Sequence, residues 1–503
     1  MTVKGRVISP NTAAAAIAVL LVPAVQQAQV EFPDTPAGRR AKEIVELLNA
    51  GEPESIDRYI NDQYAPSFRD AFPMASHKAI FQTTRSIFGR LEPVHVTTSE
   101  PTEIAVTVQS QSREAWLNIS IDVENVEPHR IASMAIAPSG RPEQLEPTSD
   151  SQHRAAEGRR GASVTEQPAK ELEPREWEDL NRMLTSKAED SEFSGVVLIA
   201  KDSEPVFHEA YGMASTRFDV PNRLDTKFNL GSCNKMITSI AIAQLAEQGL
   251  LSLDDRIGEY LDVFPAEIAE KVTVRHLLNG RSGWGDYWAN PTYRARQNEL
   301  RSLSDYMEFI KDMPLDFEPG TNFQHSNTGF EVAGAIVEAL TGQDYFDYVR
   351  QNVYAPAGMT DSDSYHKDGP VENLAVGYTN MNPNDPDGEG YRWENTYLMP
   401  PRGTPTGGGY STAADLLKLD QALRHNRLLS REYTDYFWNR FEGSPGDPHV
   451  PDRMYRIIGG APGIGAHVGM DLISGYTVIV LTNHDFPEVV EVSDHIIEML
   501  GLS

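Results

Sequence analysis

The chain has 503 residues, of which 40% are hydrophobic, 44 are lysine or arginine and 73 are aspartate or glutamate. This length exceeds that of one ordinary domain, and the apolar content suffices for a sizeable core, so two folded units joined by connecting chain are expected. The formal charge of −29 argues against a nucleic acid or an anionic membrane surface as a partner.

The first residues have the pattern of a signal for export. Lys4 and Arg6 form a short basic lead, and residues 13–25 are an almost unbroken run of small apolar side chains. The run is too short to span a bilayer, so the sequence predicts a signal peptide over residues 1–28, a periplasmic or secreted location and no stable membrane anchor. A disordered N-terminus is the alternative. Cys233 is the one cysteine of the chain, which excludes an intramolecular disulfide.

Residues 36–138 predict a small α+β domain. Three helical stretches are followed by four short β-branched segments, which is the order expected of helices packed on one antiparallel sheet. The helices are predicted over residues 40–49, 53–59 and 78–88, and the strands over residues 94–98, 104–109, 116–123 and 130–136. This order of elements resembles that of cystatin-like (NTF2-like) domains. We find no acid, base or metal constellation here, which favours a spacer or interaction module over a ligand pocket.

Residues 139–174 are rich in polar side chains and proline and nearly free of large apolar ones. Such a segment cannot bury enough surface to offset its ordering entropy, so it is predicted to be a linker. Residues 175–503 predict a mixed α/β domain, in which strands from both ends of the segment enclose a large helical insert. The terminal helices are predicted over residues 176–188 and 489–502, and the strands over residues 195–200, 205–211, 466–471 and 476–482.

Ser232 and Lys235 are the first candidates for chemistry. Residues 237–246 are mostly apolar and are closed by Gly249, which predicts a helix buried in the middle of its domain. Side chains three positions apart in the first turn of that helix share a face, so Ser232 and Lys235 would point into one cleft. The positive potential of the helix N-terminus lowers the pKa of a nearby amine and stabilises an oxyanion. Lys235 could therefore accept the proton of the Ser232 hydroxyl.

The segments around this pair resemble the class C β-lactamases and penicillin-binding proteins. The landmarks follow the family's order: Phe228-Asn229-Leu230-Gly231-Ser232-Cys233-Asn234-Lys235, Ser282-Gly283-Trp284-Gly285-Asp286-Tyr287, His325-Ser326-Asn327, Thr406-Gly407-Gly408-Gly409 and Gly459-Gly460-Ala461-Pro462-Gly463. The resemblance implies a β-lactamase/transpeptidase-like fold, in which an antiparallel sheet flanked by helices carries an inserted helical region. It also implies a serine hydrolase that works through an acyl-enzyme on Ser232.

Two of the family's three catalytic motifs are altered. The second motif is Tyr-x-Asn in the family and His325-Ser326-Asn327 here, so the resemblance implies that His325 replaces the tyrosine as general acid and base. Asn327 matches the family position that hydrogen-bonds the lysine and the substrate. The third motif, Lys-Thr-Gly or His-x-Gly, aligns with Ile457-Ile458-Gly459, where the side chain that contacts a substrate carboxylate is missing.

The backbone function of the third motif is retained in the sequence. Gly459 permits a close approach, and the amide of Gly460 would join that of Ser232 in an oxyanion hole. The missing cation favours a neutral or apolar small-molecule ester, amide or peptide as the substrate and argues against β-lactams. A catalytically impaired relative that binds a ligand or a partner is the alternative. The retention of Ser232, Lys235 and Asn327 argues against that alternative, since the fold needs none of them.

Other chemistries lack their signatures. No Gly-x-Ser-x-Gly elbow, metal-ligand spacing or dinucleotide fingerprint occurs, so neither a metal nor a cofactor is expected. His276 and His467 are expected to be structural or exposed side chains. Trp284, Tyr287 and Trp288 are expected to line the rim of the cleft, with packing in the core as the alternative. The oligomeric state stays open.

Overall fold

The computed structural model describes residues 32–50, 53–69, 74–111, 116–139, 169–380, 392–441, 444–445 and 454–502. The predicted signal peptide over residues 1–28 and most of the predicted linker over residues 139–174 lie outside the described residues. Within the described part of the chain, no helix is long and apolar enough to cross a membrane.

The N-terminal unit has its helices and strands in the predicted order. Its elements are α1 Pro36–Ala50, α2 Pro53–Gln63, α3 Pro66–Arg69, α4 Met74–Phe88, β1 Leu91–Ser99, β2 Glu103–Ser110, β3 Trp116–Val123 and β4 Ile131–Ser139. The strands form one antiparallel sheet in the order β1-β2-β3-β4. Every second residue of β3 is buried, and Ile119 and Ile121 join Ile44 and Leu48 of α1 in one apolar cluster. The short helix α3 was not predicted.

The C-terminal unit contains the remaining elements. Its strands are β5 Gly195–Lys201, β6 Glu204–Tyr211, β7 Met213–Ser215, β8 Val220–Pro221, β9 Phe228–Asn229, β10 Tyr378–Thr379, β11 Trp393–Glu394, β12 Tyr410–Ser411, β13 Met454–Ala461, β14 Ile464–Asp471 and β15 Tyr476–Thr482. Its helices are α5 Pro174–Glu189, α6 Lys235–Glu247, α7 Ala266–Ala269, α8 Val274–Leu278, α9 Pro291–Arg296, α10 Leu303–Ile310, α11 Asn327–Thr341, α12 Tyr345–Val349, α13 Ala355–Ala357, α14 Ala413–Arg424, α15 Arg431–Trp438 and α16 Pro487–Met499.

Strands from the two ends of this unit meet in one antiparallel sheet of order β13-β14-β15-β5-β6. Successive side chains of a strand point to opposite faces, and here both faces are covered. Val197 and Ile199 of β5 pack with α5 and α16, whereas Val196 and Leu198 pack with the cluster that contains α6. The mixed α+β fold class is confirmed, and the sheet encloses the helical insert as the sequence predicts.

Helix α6 lies in the middle of the insert. Every residue from Lys235 to Ala246 is buried, so the ionisable lysine side chain lies inside the protein at the start of a largely apolar helix. The helix begins at Lys235, one turn later than the sequence suggested, because Ser232 lies in a preceding 3₁₀ turn, Gly231–Asn234. Such tight turns are frequent at helix N-termini. The cysteine of this turn, Cys233, is buried, and burial raises the pKa of its thiol, so it is not a candidate nucleophile.

Candidate active site

Ser232 is held at the junction of β9 and α6, against strand β13. Gly231 has a φ of +48°, and a Cβ atom on it would lie 2.9 Å from the Gly460 nitrogen. A Cβ atom on Gly459 would lie 2.1 Å from the Leu230 carbonyl oxygen and 2.7 Å from the Ser232 nitrogen. Only glycine allows such an approach. The structure therefore places the backbone of Gly459 and Gly460 directly beside the turn that carries Ser232.

The Lys235 ammonium stands at the centre of a network of neutral acceptors. Its Nζ lies 3.1 Å from Ser232 Oγ, 2.7 Å from Asn327 Oδ1, 2.8 Å from the Thr406 carbonyl oxygen and 3.1 Å from Thr406 Oγ1. No carboxylate of the described residues lies within ion-pair distance of this nitrogen. We call Ser232, Lys235, Asn327 and Thr406 the floor of the cleft.

The orientation of Asn327 is fixed by its second contact. Asn327 Nδ2 donates to Asp286 Oδ2 at 2.7 Å, so Oδ1 must be the atom that faces Lys235. A neutral Lys235 amine has two N–H groups, which Asn327 Oδ1 and the Thr406 carbonyl oxygen can accept. Its lone pair then points to Ser232 Oγ, and the contact between them reverses so that the serine hydroxyl donates. This geometry favours proton transfer from Ser232 to Lys235.

Burial and the neighbouring charges together set the protonation state of Lys235. Burial lowers the pKa of Lys235 to about 8, against the opposing influence of the carboxylates of Asp286 and Glu331. A neutral amine is therefore more accessible near pH 7 than in an exposed lysine. Glu331 is fully buried on α11, where its Oε1 accepts from Tyr287 Oη at 2.7 Å and from Thr404 Oγ1 at 2.6 Å. Burial raises the pKa of Glu331 to about 7.

His325 lines the same cleft as Ser232 and Asn327. Its imidazole makes no hydrogen bond to Ser232 Oγ or Lys235 Nζ, all three being described residues. Partial desolvation and the positive charge of Lys235 lower the pKa of His325, so its imidazole is neutral at pH 7. Ser326, the next residue, caps α11 by accepting from the Gly329 amide at 3.4 Å, which fixes the start of the helix directly after His325.

Strand β13 presents no cation at the third motif. The Ile457 side chain packs against the main apolar cluster, and its carbonyl oxygen lies 3.6 Å from Cys233 Sγ. Ile457 therefore contributes packing and a backbone contact at this position.

The other histidines named from the sequence lie outside the cleft. His467 is fully buried and accepts from Arg456 Nε at 2.9 Å, and His276 Nδ1 accepts from the Thr273 amide at 3.2 Å at the start of α8. Both contacts are structural. Among the described residues, no group of three histidine, cysteine, aspartate or glutamate side chains could hold a metal ion.

The three aromatic residues expected at the rim differ in position. Trp288 lines the cleft, and Tyr287 reaches it although its ring is buried. For Trp284 the expectation was wrong. Its side chain is fully buried, packs on Phe264 at a centroid distance of 5.2 Å and donates to the Met313 carbonyl oxygen at 3.3 Å. An indole whose N–H finds a partner inside the protein is stable in the core.

Three residues of the network were not singled out from the sequence. Thr406 and Asp286 lie in family landmarks, so their presence was visible, but their contacts with Lys235 and Asn327 were not. Glu331 carried a signal that could have been used, since it is an acidic residue within the apolar stretch that α11 buries. Buried carboxylates are rare unless they are paired or hydrogen-bonded, which makes such a residue a candidate for a site.

The sequence model of the Beta-lactamase family matches residues 180–501. The chain belongs to this family. A solved structure of a penicillin-binding protein from Bacillus halodurans is 30% identical, covers 64% of this chain and 98% of that protein, and superposes with a TM-score of 0.56. The predicted β-lactamase/transpeptidase-like fold is thus confirmed. The match to the family begins at residue 180, so the likeness of the N-terminal unit to cystatin-like domains stays a prediction.

Two further relatives are named as a penicillin-binding protein and as an esterase. Penicillin-binding protein 4* of Bacillus subtilis (strain 168) is 28% identical over 264 residues, which are 50% of this chain and 57% of that protein. Esterase EstB of Burkholderia gladioli is 31% identical over 260 residues, which are 46% of this chain and 65% of that protein. The chain thus spans less than two thirds of the length of either relative.

Proposed function

We propose that the protein is a serine hydrolase that cleaves an ester or amide through an acyl-enzyme on Ser232. The observation that carries this proposal is the position of Lys235, which is buried among uncharged acceptors with its Nζ 3.1 Å from Ser232 Oγ. A buried lysine without a paired carboxylate is costly, and neither the sheet nor the core of the insert requires it. Its burial lowers its pKa toward the range in which it can act as a base.

Acylation follows from the floor of the cleft. The neutral amine of Lys235 takes the proton of Ser232 while Oγ bonds to the substrate carbonyl carbon, and the negative charge moves to the carbonyl oxygen. The backbone amides of Ser232 and Gly460 would stabilise that oxyanion. The bond to the leaving group then breaks, and the proton held by Lys235 passes to the departing oxygen or nitrogen.

Deacylation needs a group that accepts a proton from water, and His325 is the candidate. His325 lines the cleft, and its imidazole is neutral at pH 7 because desolvation and, to a smaller extent, the charge of Lys235 lower its pKa. In our proposal it takes a proton from the attacking water and returns it to Ser232 Oγ when the acyl group leaves. Hydrogen bonds of this kind are often formed only once substrate is bound.

The names of two relatives support the proposed class of reaction. One bears the name of a penicillin-binding protein and the other that of an esterase. Ile457 stands where the family's cation would contact a β-lactam carboxylate. We therefore assign an esterase or peptidase type of activity and not primarily that of a β-lactamase.

Covalent labelling tests the proposal. A fluorophosphonate or a 4-nitrophenyl ester should add one adduct to the protein, seen as an increase in intact mass, and peptide mapping should place the adduct on Ser232. The Ser232→Ala variant should give no adduct and should lose activity by about 10⁴-fold or more. Ser252→Ala, which changes an exposed serine outside the cleft, should behave as the wild type.

The competing function is ligand or partner binding by a catalytically impaired protein. The substitutions at His325 and Ile457 favour it. Absence of an adduct with any acyl donor, while circular dichroism shows a folded protein, would favour that function over hydrolysis.

We further propose a periplasmic or secreted location, on the basis of the basic and apolar pattern in residues 1–28. Expression of the full chain and of a chain that starts at residue 29, followed by cell fractionation, tests this location. Export of the full chain alone is the expected result, and retention of both in the cytoplasm would contradict it.

A further inference from the structure

One wall of the cleft carries two cations. It consists of residues 365–367 and 399–402, which run antiparallel. The Lys367 amide donates to the Pro401 carbonyl oxygen at 2.8 Å, and the backbones of His366 and Arg402 form an antiparallel β-bridge. Both Lys367 and Arg402 line the cavity that contains Ser232. We call these two segments the cationic wall.

Neither cation of the wall has a carboxylate partner among the described residues. Lys367 Nζ donates to the carbonyl oxygens of Thr396 and Met399. Arg402 Nε donates to the Ser364 carbonyl oxygen at 3.0 Å, and its guanidinium stacks on Phe346 at 3.4 Å from the ring centroid. These contacts orient the two groups but do not neutralise them.

The carboxylates whose charge acts on Arg402 are Asp344, Asp363 and Asp347, and each is held by another group. Asp344 accepts from the Phe346 and Asp347 amides at 3.0 and 3.2 Å at the start of α12. Asp363 pairs with Arg350 Nε at 2.8 Å, and Asp347 of α12 pairs with the same guanidinium. On the other side of the wall, Asp368 pairs with Arg301 at 2.7 Å. The two cations of the wall are thus left for a group that enters the cleft.

The cavity differs in charge from the rest of the molecule. The chain carries 73 acidic and 44 basic residues, yet no aspartate or glutamate is among the described residues that line this cavity. Lys367 and Arg402 are therefore cations that line a cavity without acidic side chains in an otherwise acidic protein. A cleft lined by charges of one sign attracts ligands of the opposite sign.

We propose that the cationic wall binds a carboxylate of the substrate, so that the preferred acyl donor is an ester or amide with an anionic group remote from the scissile carbonyl. This inference rests on the proposed hydrolase function and deepens it. It also revises the substrate expected from the sequence, where the loss of the cation at Ile457 favoured a neutral molecule. The positive charge is present, but it lies on a different wall of the cleft.

Burial also changes the protonation equilibrium of Lys367. Desolvation lowers the pKa of Lys367 to about 8. An anion bound beside the ammonium would favour the charged form and raise that pKa.

Matched pairs of esters test the proposal. On the acyl side, 4-nitrophenyl hydrogen adipate is compared with 4-nitrophenyl 6-methylheptanoate, in which an isopropyl group replaces the carboxylate. On the leaving-group side, 4-(butyryloxy)benzoate is compared with its methyl ester. We expect a ratio of kcat/KM, anionic over neutral, of about 10 or more in one pair, as hydrogen bonds to charged groups imply, and the pair that shows it identifies the side of the substrate. The ratio should fall as ionic strength rises.

The Arg402→Gln and Lys367→Gln variants assign the preference to the wall. Each should lower the ratio of the preferred pair by about 5- to 10-fold, the range expected for a charged hydrogen bond in a partly solvated site. Arg427→Gln, which removes an exposed arginine that does not line the cleft, should leave the ratio unchanged. Circular dichroism and thermal melting show whether each variant is folded. If a variant does not fold, the wild-type ratio and its salt dependence still test the proposal.

The outcomes separate this inference from the proposed function. Hydrolysis of the neutral esters with no preference for either anionic ester would overturn the binding of a carboxylate and leave the hydrolase intact. An anionic preference that both wall variants retain would also overturn it. Failure of all four esters to acylate Ser232 would instead overturn the proposed function.

Discussion

The floor of the cleft and the cationic wall use polar side chains in opposite ways. In the floor, Lys235 is surrounded by acceptors, of which Asn327 is itself held by Asp286 and by the Thr406 hydroxyl. In the wall, Lys367 and Arg402 are oriented by backbone carbonyl oxygens and an aromatic ring and form no ion pair among the described residues. The hydrogen bonds of the floor hold Lys235 in one geometry, which suits a single proton transfer. The cations of the wall form no ion pair, so they can form one with a bound anion. The floor thus serves the reaction and the wall serves the choice of substrate.

Removal of the base should have the largest effect. Lys235→Met retains the packing of α6 but has no group to take the Ser232 proton, so the acylation rate should fall by about 10²–10⁴-fold. Stopped-flow measurement of 4-nitrophenol release gives this rate. Lys271→Met, which changes an exposed lysine paired with Glu318, is the control and should acylate at the wild-type rate. Acylation of the Lys235→Met variant at more than a third of the wild-type rate would contradict the role of the floor.

The His325→Ala variant should separate the two half-reactions. If His325 activates the hydrolytic water, acylation persists and the acyl-enzyme accumulates, so a burst is followed by a steady state about 10²-fold slower than in the wild type. Intact-mass analysis during turnover should show the adduct on Ser232. His325→Tyr, which restores the residue of the family pattern, should recover part of the turnover. A loss of only a few-fold in steady-state turnover would show that His325 is not the acid or base.

The pH dependence reports the electrostatics of the floor and is the smallest of these effects. The neutral form of Lys235 is the reactive one and its pKa is about 8, so the acylation rate should rise with pH through about 8. Glu331→Gln keeps an acceptor for Tyr287 and Thr404 but removes a negative charge that favours the ammonium. The midpoint should then move to lower pH by less than about one unit, so that acylation at pH 7 rises by less than tenfold.

Glu338→Gln is the matched control for this measurement, since it lies on the same helix, α11, and its Oε1 accepts from the Tyr345 amide at 2.9 Å, outside the floor. Its profile should coincide with that of the wild type. A midpoint that moves to higher pH in Glu331→Gln would contradict the sign of the coupling between Glu331 and Lys235.

Much of the fold could be predicted because its signals are local. The alternation of β3, the β-branched run of β5 and the apolar stretch of α6 each specify an element from neighbouring residues, and their bounds were found to within a few residues. Trp284 is the counterexample. An aromatic residue beside a catalytic landmark can face either the cleft or the core, and only the position of Phe264 and the Met313 carbonyl oxygen decides between them.

The same limit applies to the site. By itself the sequence determined the family, the candidate nucleophile Ser232 with its lysine, and the substitutions at His325 and Ile457, because spaced motifs hold this information along the chain. The tertiary structure alone decided which groups surround Lys235 and which cations line the cleft. Asp286, Glu331, Thr406, Lys367 and Arg402 come from loops and helices far apart in sequence, and the strength of an electrostatic interaction depends on distance and burial in space.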